Sequence, residues 1–415
     1  MSDGRGGSRA CRGSALLICV LAVGCGSDDR SQAPDPFRAI DDVPVWTASL
    51  ELRIGSVDDP DYALTTIRFL EVGPDGTIFT LHPQEQLIRM FNADGELIRT
   101  IGGRGAGPGE FQQALTMGWV ADTLWVLDAR GYRFSQFAAA GTYLGSFSVP
   151  YAVVDDPNAL QPARAEGLLD DGTVHGSPPA FSSLVAEGIL THTVPVLMSR
   201  DGRVTDTLPS IPLGRNFWVI YDPNEPRRAQ MSRAHPFPDG PLWWYVPRER
   251  AMIVLERWAP LDPGNAHFRL SKLTFTGDTV LTREYPFEPV AVRREEVDSV
   301  LDVVSSAIAE IAFFNATPAR AREWVEATLD APSFRPGVTD FRLARDGSIW
   351  LSLGPDGAGQ DDWLVLDAAG EPVARVALPS SVRPLAIDRP LVWGAETDDL
   401  DVPYVVRYRI DREAP

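Results

Sequence analysis

Short runs in which apolar and polar residues alternate make up most of the chain, and Asp, Asn and Gly interrupt them at recurring places. An Asp is followed within a few positions by an aliphatic residue and then, usually, an aromatic one. The copies are Asp75-Gly-Thr-Ile-Phe79, Asp122-Thr-Leu-Trp125, Asp171-Gly-Thr-Val-His175, Asp239-Gly-Pro-Leu-Trp243, Asp346-Gly-Ser-Ile-Trp350 and Asp388-Arg-Pro-Leu-Val-Trp393. Successive Asp positions lie 47, 49, 68, 107 and 42 residues apart. Each copy reads as a tight turn entering a strand, and a period in the forties built from such units predicts a β-propeller.

A second register supports the first. Gly95, Gly141, Gly202, Gly277 and Gly370 each close a hairpin, with Phe91, Phe137, Met198, Leu273 or Leu366 four residues earlier. Ile98, Leu144, Thr205, Val280 and Val373 follow three residues later, and four of these five are apolar. Glycine supplies the positive φ of the turn, and the flanking Val, Ile, Phe and Trp suit a pleated, half-buried surface. One such unit has two apolar faces and cannot bury both alone, so neighbours must stack around an axis.

The expected architecture is all-β: a six-bladed propeller of four-stranded antiparallel blades over residues 45–413. The last unit ends after the strand Tyr404 to Ile410, one strand short. The segment Val45-Trp-Thr-Ala-Ser-Leu-Glu-Leu-Arg-Ile54 alternates well enough to supply the missing strand and close the ring. Between blades four and five, at about residues 291–331, the period changes. Val297, Val300, Leu301, Val304, Ile308 and Ile311 follow helical spacing, and Thr317-Pro318 reads as an N-cap and first helical position. A helical hairpin is predicted there, as a lid over the axial opening or as a pair packed on the side of the ring. A further interruption from Leu213 to Pro238 is aromatic and basic, with Arg215, Trp218, Arg227 and Arg228. Its Arg215 and Trp218 are candidate ligand contacts, since such contacts concentrate on loops; the alternative is a loop packed on its own blade.

All three cysteines precede residue 26, so the body of the chain has neither a disulfide nor a thiolate metal site to offer. Residues 1–24 read as a secretory signal, with Arg5, Arg9 and Arg12 ahead of the short apolar run Ser14 to Val23. The run ends Leu21-Ala-Val-Gly-Cys25, which resembles the lipobox of bacterial lipoproteins. That resemblance implies a diacylglycerol on the Cys25 sulfur, a membrane partner held through it, and a cell-envelope location facing the periplasm or on the outer membrane. Residues 25–44 read as a flexible tether carrying that anchor.

The formal net charge is −19, with 38 basic and 57 acidic residues, so nucleic acid is not an expected partner. Eleven tryptophans suit large contacts between blades, or alternatively a sugar site.

The stretch Ile101-Gly-Gly-Arg-Gly-Ala-Gly-Pro-Gly-Glu-Phe-Gln112 is the most distinctive in the chain. Neither a following helix nor a Lys-Ser or Lys-Thr accompanies it, so it is a poor phosphate cradle. Together with Val72-Gly-Pro-Asp-Gly, Phe91-Asn-Ala-Asp-Gly95 and Trp125-Val-Leu-Asp128, it resembles NHL-type repeats, especially those of bacterial six-bladed propeller lipoproteins with a Gly-x-Gly-Pro-Gly-Glu-Phe loop. The likeness is strong over residues 62–147 and faint in the middle blades. It implies an architectural loop with Phe111 between blades. Arg104, Glu110 and Asp128 are the candidate ligand contacts here, with a turn-capping role the alternative for Asp128.

The five histidines His82, His175, His192, His235 and His267 form no paired ligand motif, and no Gly-x-Ser-x-Gly elbow is present. The functional expectation is therefore a binding or interaction module with no catalytic residue assigned and no cofactor. Its ligand, a protein or a small molecule, would sit at one face of the propeller. The alternative is an extracytoplasmic enzyme, either a calcium-assisted, lactonase-like hydrolase or a lyase, working at the axis.

Overall fold

The computed structural model describes residues 39–412 apart from 158, 180–183, 185–189 and 226–229. The signal segment, Cys25, most of the tether, Arg227 and Arg228 lie outside the described residues. The fold is mostly β and propeller-like, made of four-stranded antiparallel sheets that follow one another along the chain.

After β1 (Val45–Ile54), sheet 1 holds β2 (Phe69–Val72), β3 (Ile78–His82), β4 (Leu87–Phe91) and β5 (Leu97–Gly102). Sheet 2 holds β6 (Ala114–Val120), β7 (Thr123–Asp128), β8 (Arg133–Ala138) and β9 (Tyr143–Ser148). Sheet 3 is built from β10 (Arg164–Leu168), β11 (Val174–Ser177), β13 (Val196–Met198) and β14 (Val204–Thr207), with the short β12 (His192–Thr193) pairing β15 (Ile211–Pro212) beside it. A hairpin, β16 (Phe217–Tyr221) and β17 (Gln230–Ala234), precedes sheet 4. Sheet 4 holds β18 (Leu242–Val246), β19 (Ala251–Glu256), β20 (His267–Thr274) and β21 (Thr279–Pro286). Sheet 5 holds β22 (Asp340–Leu343), β23 (Ile349–Pro355), β24 (Gln360–Leu366) and β25 (Pro372–Pro379). The last three strands are β26 (Val382–Asp388), β27 (Leu391–Thr397) and β28 (Pro403–Asp411).

β1 lies antiparallel to β28, from Thr47 opposite Asp411 to Ile54 opposite Val405, and so completes sheet 6 as its fourth strand. Its first residues also pair in parallel with β25, at Val45–Arg375 and Trp46–Val376. This arrangement accounts for the five hairpin glycines. They sit between third and fourth strands of sheets 1 to 5, with φ from 78 to 94°, and each donates its N–H to the carbonyl three residues back at 2.7–3.0 Å. Sheet 6 takes its fourth strand from the other end of the chain and has no such turn.

The turns between first and second strands follow the Asp register at Asp75, Asp171 and Asp346. Their carboxylates accept the N–H of Thr77, Thr173 and Ser348 at 3.0, 2.8 and 3.0 Å. The Asp239 copy departs from it, because that segment leads into β18, the first strand of its sheet. The equivalent turn in sheet 4 is Pro247–Glu249 followed by Arg250 at φ 46°. Asp239 instead accepts from Arg215 Nη1 at 2.9 Å and from the Ala259 N–H at 3.1 Å.

Apolar clusters lie between successive sheets. Phe79, Met90 and Phe111 meet Met117, Val126 and Phe137 between sheets 1 and 2. Trp125 and Phe134 meet Val174 and Met198 between sheets 2 and 3, and Leu197 meets Tyr245 and Met252 between sheets 3 and 4. Leu255 and Phe268 meet Phe341 and Leu364, and Trp350 and Trp363 meet Val392 and Tyr408. Trp393 and Val405 of sheet 6 meet Leu70, Ile78 and Phe91 of sheet 1. Ile40, ahead of β1, is already buried in the cluster of sheets 4 and 5.

The predicted helical hairpin is present between β21 and β22, as helices Arg294–Glu310 and Pro318–Thr328. Thr317 caps the second, accepting the Arg320 N–H at 3.3 Å, with Pro318 in the first turn. It packs against the β16–β17 hairpin: Trp218 and Ile220 share one core with Leu301, Val304, Ile308, Trp324 and Val325. The two interruptions of the repeat thus form one accessory layer. Both leave from crossovers that link the outer strand of one sheet to the first strand of the next.

Candidate functional site

The first strands of the sheets lie side by side, β2 beside β6 and β26, β10 beside β6, and β22 beside β18 and β26. One residue on each stands opposite a fixed place on the second strand: Glu71 opposite Phe79, Gly118 opposite Trp125, Gly167 opposite His175, Trp244 opposite Ile253, Arg342 opposite Trp350, and Ala386 opposite Trp393. Where the first-strand residue is glycine, the second-strand ring crosses over it. A Cβ on Gly167 would stand 2.4 Å from His175 Nε2 and 3.1 Å from Trp125 Cη2, and one on Gly118 would stand 2.7 Å from Trp125 Cζ2. The indole and imidazole therefore reach inward because nothing larger than hydrogen stands in their path.

Around His175 a polar cluster forms between sheets 2, 3 and 4. The ladder between β10 and β11 slips one residue between Ala165 and Gly167, and Glu166 occupies the bulge. Glu166 Oε1 accepts the Ser177 hydroxyl at 2.5 Å. The His175 ring lies 4.6 Å from that of Tyr245, which in turn stands edge-on to Trp243 at 5.1 Å. Desolvation raises the carboxyl of Glu166, although the residue is exposed, with the Ser177 hydroxyl opposing; it also holds the His175 imidazole down to about 4 and raises the Tyr245 phenol, with the Glu166 charge adding to the last. Trp125 Nε1, His175 Nδ1 and the Tyr245 hydroxyl are buried and make no hydrogen bond among the described residues. A buried polar atom left unpaired costs about 1–3 kcal/mol. These three are among twelve such atoms in the described residues, the indoles of Trp119, Trp363 and Trp393 included; what sets them apart is that Trp125 and His175 meet at Gly167 and His175 packs on Tyr245.

Glu71 lies on the first strand of sheet 1. Its side chain is 30% accessible, yet desolvation lifts its carboxyl to about 7, with Arg345 opposing. Arg345 lies 3.9 Å from Glu71 and 3.8 Å from Asp388, and donates to the Val72 carbonyl, tying sheets 5, 6 and 1 together.

The five sequence candidates fall into two groups, each engaged elsewhere. Arg104 Nη2 donates to the Gln84 carbonyl at 3.0 Å, and Glu110 Oε2 accepts the Gly107 N–H at 2.8 Å. Asp128 is fully buried and accepts from Gln112, Gln113 and Arg130 N–H groups at 2.9, 2.9 and 3.1 Å and from Arg133 Nη2 at 3.3 Å. Its capping role fills both oxygens, and the glycine-rich crossover it braces packs Phe111 with no exposure. Arg215 bridges Asp239 and Asp330, and Trp218 is buried with its Nε1 donating to the Thr328 carbonyl at 3.0 Å. These two fasten the accessory layer. Glu166, Ser177, His175 and Tyr245 were not singled out as a set by the sequence. The one available signal was glycine at Gly118 and Gly167, in strands otherwise lined by larger residues.

Among the described residues no three His, Cys, Asp or Glu side chains gather to hold a metal ion. No helix among the described residues is long and apolar enough to cross a membrane.

The sequence matches no protein-family model and no curated protein. Solved structures of similar shape include a protein of Bacteroides fragilis described as exported, at 10% identity over 91% of this chain and 99% of that one, TM-score 0.47. Virginiamycin B lyase of Staphylococcus aureus is similar at 10% identity over 87% and 99%, TM-score 0.41. A gluconolactonase of Xanthomonas campestris is similar at 12% identity over 87% and 98%, TM-score 0.37.

Proposed function

We propose that the chain is a lipid-anchored, extracytoplasmic six-bladed propeller that binds a small molecule in its axial channel, beside Glu166, Ser177, His175 and Tyr245. The convergence of three unpartnered buried polar groups at Trp125, His175 and Tyr245 carries this reading. Support for six blades and a closed ring comes from the pairing of β1 with β28 and from the apolar cluster between sheets 6 and 1. The anchor rests on Leu21-Ala-Val-Gly-Cys25. Cys25→Ser should abolish labelling by radioactive palmitate and release the protein from the membrane fraction; retention of both would end that part of the proposal.

The channel is tested through its own tryptophans. Glucose, benzyl alcohol and phenyl phosphate are titrated against the wild type and a His175→Gln/Tyr245→Phe variant while indole emission is followed. At least one solute should give a saturable change, weakened about fivefold or more in the variant. A response to none, or one indifferent to the variant, would overturn the reading.

One contact favours a second reading, in which the channel is catalytic. The 2.5 Å bond between Glu166 and Ser177 holds a carboxyl whose desolvation favours its protonated form, beside a neutral imidazole. Such a pair suits general acid–base work in a lyase or hydrolase.

A further inference from the structure

We propose that the channel ligand is an organic oxyanion, a carboxylate- or phosphate-bearing molecule with an aromatic or apolar body, gripped by an arc of arginines, Arg342, Arg383 and Arg68, that runs across sheets 5, 6 and 1. This inference rests on the channel reading above and names its ligand class.

The arc is built by reach from strand to strand. Arg342 on β22 donates through Nε to the Pro384 carbonyl at 2.8 Å, next to Arg383 on β26. Arg383 Nη2 donates in turn to the Ile67 carbonyl at 2.6 Å, next to Arg68 ahead of β2. Three guanidinium side chains therefore stand in succession on sheets 5, 6 and 1, and among the described residues only Arg342 of the three pairs with a carboxylate, Asp340 at 2.6 Å. Arg383 is solvent-accessible yet desolvated, and the charges of Arg342 and Arg68 bear on it, with Asp340 opposing. Arg164, at the start of β10 in sheet 3, is a further arginine on a first strand; its Nε is buried without a hydrogen bond, and its guanidinium stands 5.6 Å from the Tyr151 ring.

This concentration runs against the rest of the molecule. The chain has a formal net charge of −19, and most of its arginines pair with Asp or Glu. Like charges gathered in a low-dielectric mouth destabilise one another, and an anion seated among them removes that cost. Guanidinium forks match carboxylate and phosphate oxygens in pairs. The apolar part of the ligand has Trp244 to meet, 47% exposed on the first strand of sheet 4 and perpendicular to Phe341 at 6.3 Å, one residue from Arg342.

The experiment is calorimetric titration with phenyl phosphate and with benzyl alcohol at fixed ionic strength. It uses wild type, Arg383→Gln, Arg68→Gln and the His175→Gln/Tyr245→Phe variant, with a thermal melt of each. The anion should bind more tightly than the alcohol, and either arginine variant should weaken it about tenfold or more with an unchanged or higher melting temperature. Equal binding of the two probes, anion affinity within about twofold across the arginine variants, or binding by neither probe would overturn the inference. Anion binding that depends on the arginines and ignores the His175→Gln/Tyr245→Phe change would leave the arc standing and overturn the channel reading instead.

Discussion

His82 and His175 both stand on the second strands of their sheets, His82 with no exposure and His175 half-buried, and desolvation keeps both neutral well below the ordinary histidine range. Their partners differ. In sheet 1, Thr65 Oγ1 stands 3.1 Å from His82 Nδ1 and Thr80 Oγ1 2.8 Å from Nε2, so each ring nitrogen has a hydrogen bond. In sheet 3, His175 packs on Tyr245 with Nδ1 unpaired, next to an unpaired phenol and a carboxyl in a bulge. The first histidine is a structural strut, and the second is the one assigned to the proposed site. A shifted titration alone does not separate the two roles, whereas hydrogen-bond accounting does.

The largest test of that distinction is truncation. His82→Ala orphans two threonine hydroxyls and opens a cavity, an expected loss of about 2–4 kcal/mol in urea unfolding. His175→Ala removes ring packing but no hydrogen bond of Nδ1, and about 1 kcal/mol is expected. Equal losses would erase the contrast. The same logic applies to the carboxylates. Asp128→Ala takes the carboxylate acceptor from the N–H groups of Gln112 and Gln113 and empties a fully buried position, and should cost about 1–3 kcal/mol. Glu166→Gln keeps a partner for Ser177 and removes a desolvated acid, so its unfolding midpoint should hold or rise while channel binding changes.

Sheets 1 and 2 could be read from sequence because their signals are local. A hairpin needs glycine at one position, and Asp75 or Asp346 caps a turn through the N–H two residues on, so both features recur wherever the geometry does. Asp239 misled because Asp-Gly also suits a crossover, and its carboxylate is taken by Arg215 from the accessory layer. The channel could not be read this way. Glu71, Glu166, Tyr245 and Arg342 come from four strands far apart in sequence, and the bulge that turns Glu166 inward has no sequence mark of its own. Equally, the vivid glycine-rich stretch at residues 101–112 proved to brace Phe111 and Asp128, away from the unpaired groups. The strongest motifs serve the shared architecture of the repeated sheets, and the proposed site lies where copies differ.

The smallest expected effect is electrostatic and opposes two groups of desolvated residues. Glu71 keeps its proton in the folded protein up to about pH 7, while the unfolded chain releases it near 4.5. Between those values the folded state binds more protons, so this carboxyl adds stability as pH falls. His82 and His175 act the other way: they stay neutral down to about 3 and about 4, whereas the unfolded chain protonates near 6.5, so stability is lost as pH drops below 6.5. Glu71→Gln removes only the first contribution. The variant should therefore be more stable than wild type at about pH 8 and should lose that advantage by about pH 5. Solvent screening limits the change to on the order of 1 kcal/mol or less. Urea midpoints at the two pH values decide the matter. A constant gap between variant and wild type would mean that Glu71 is already ionised throughout, with Arg345 rather than burial governing it.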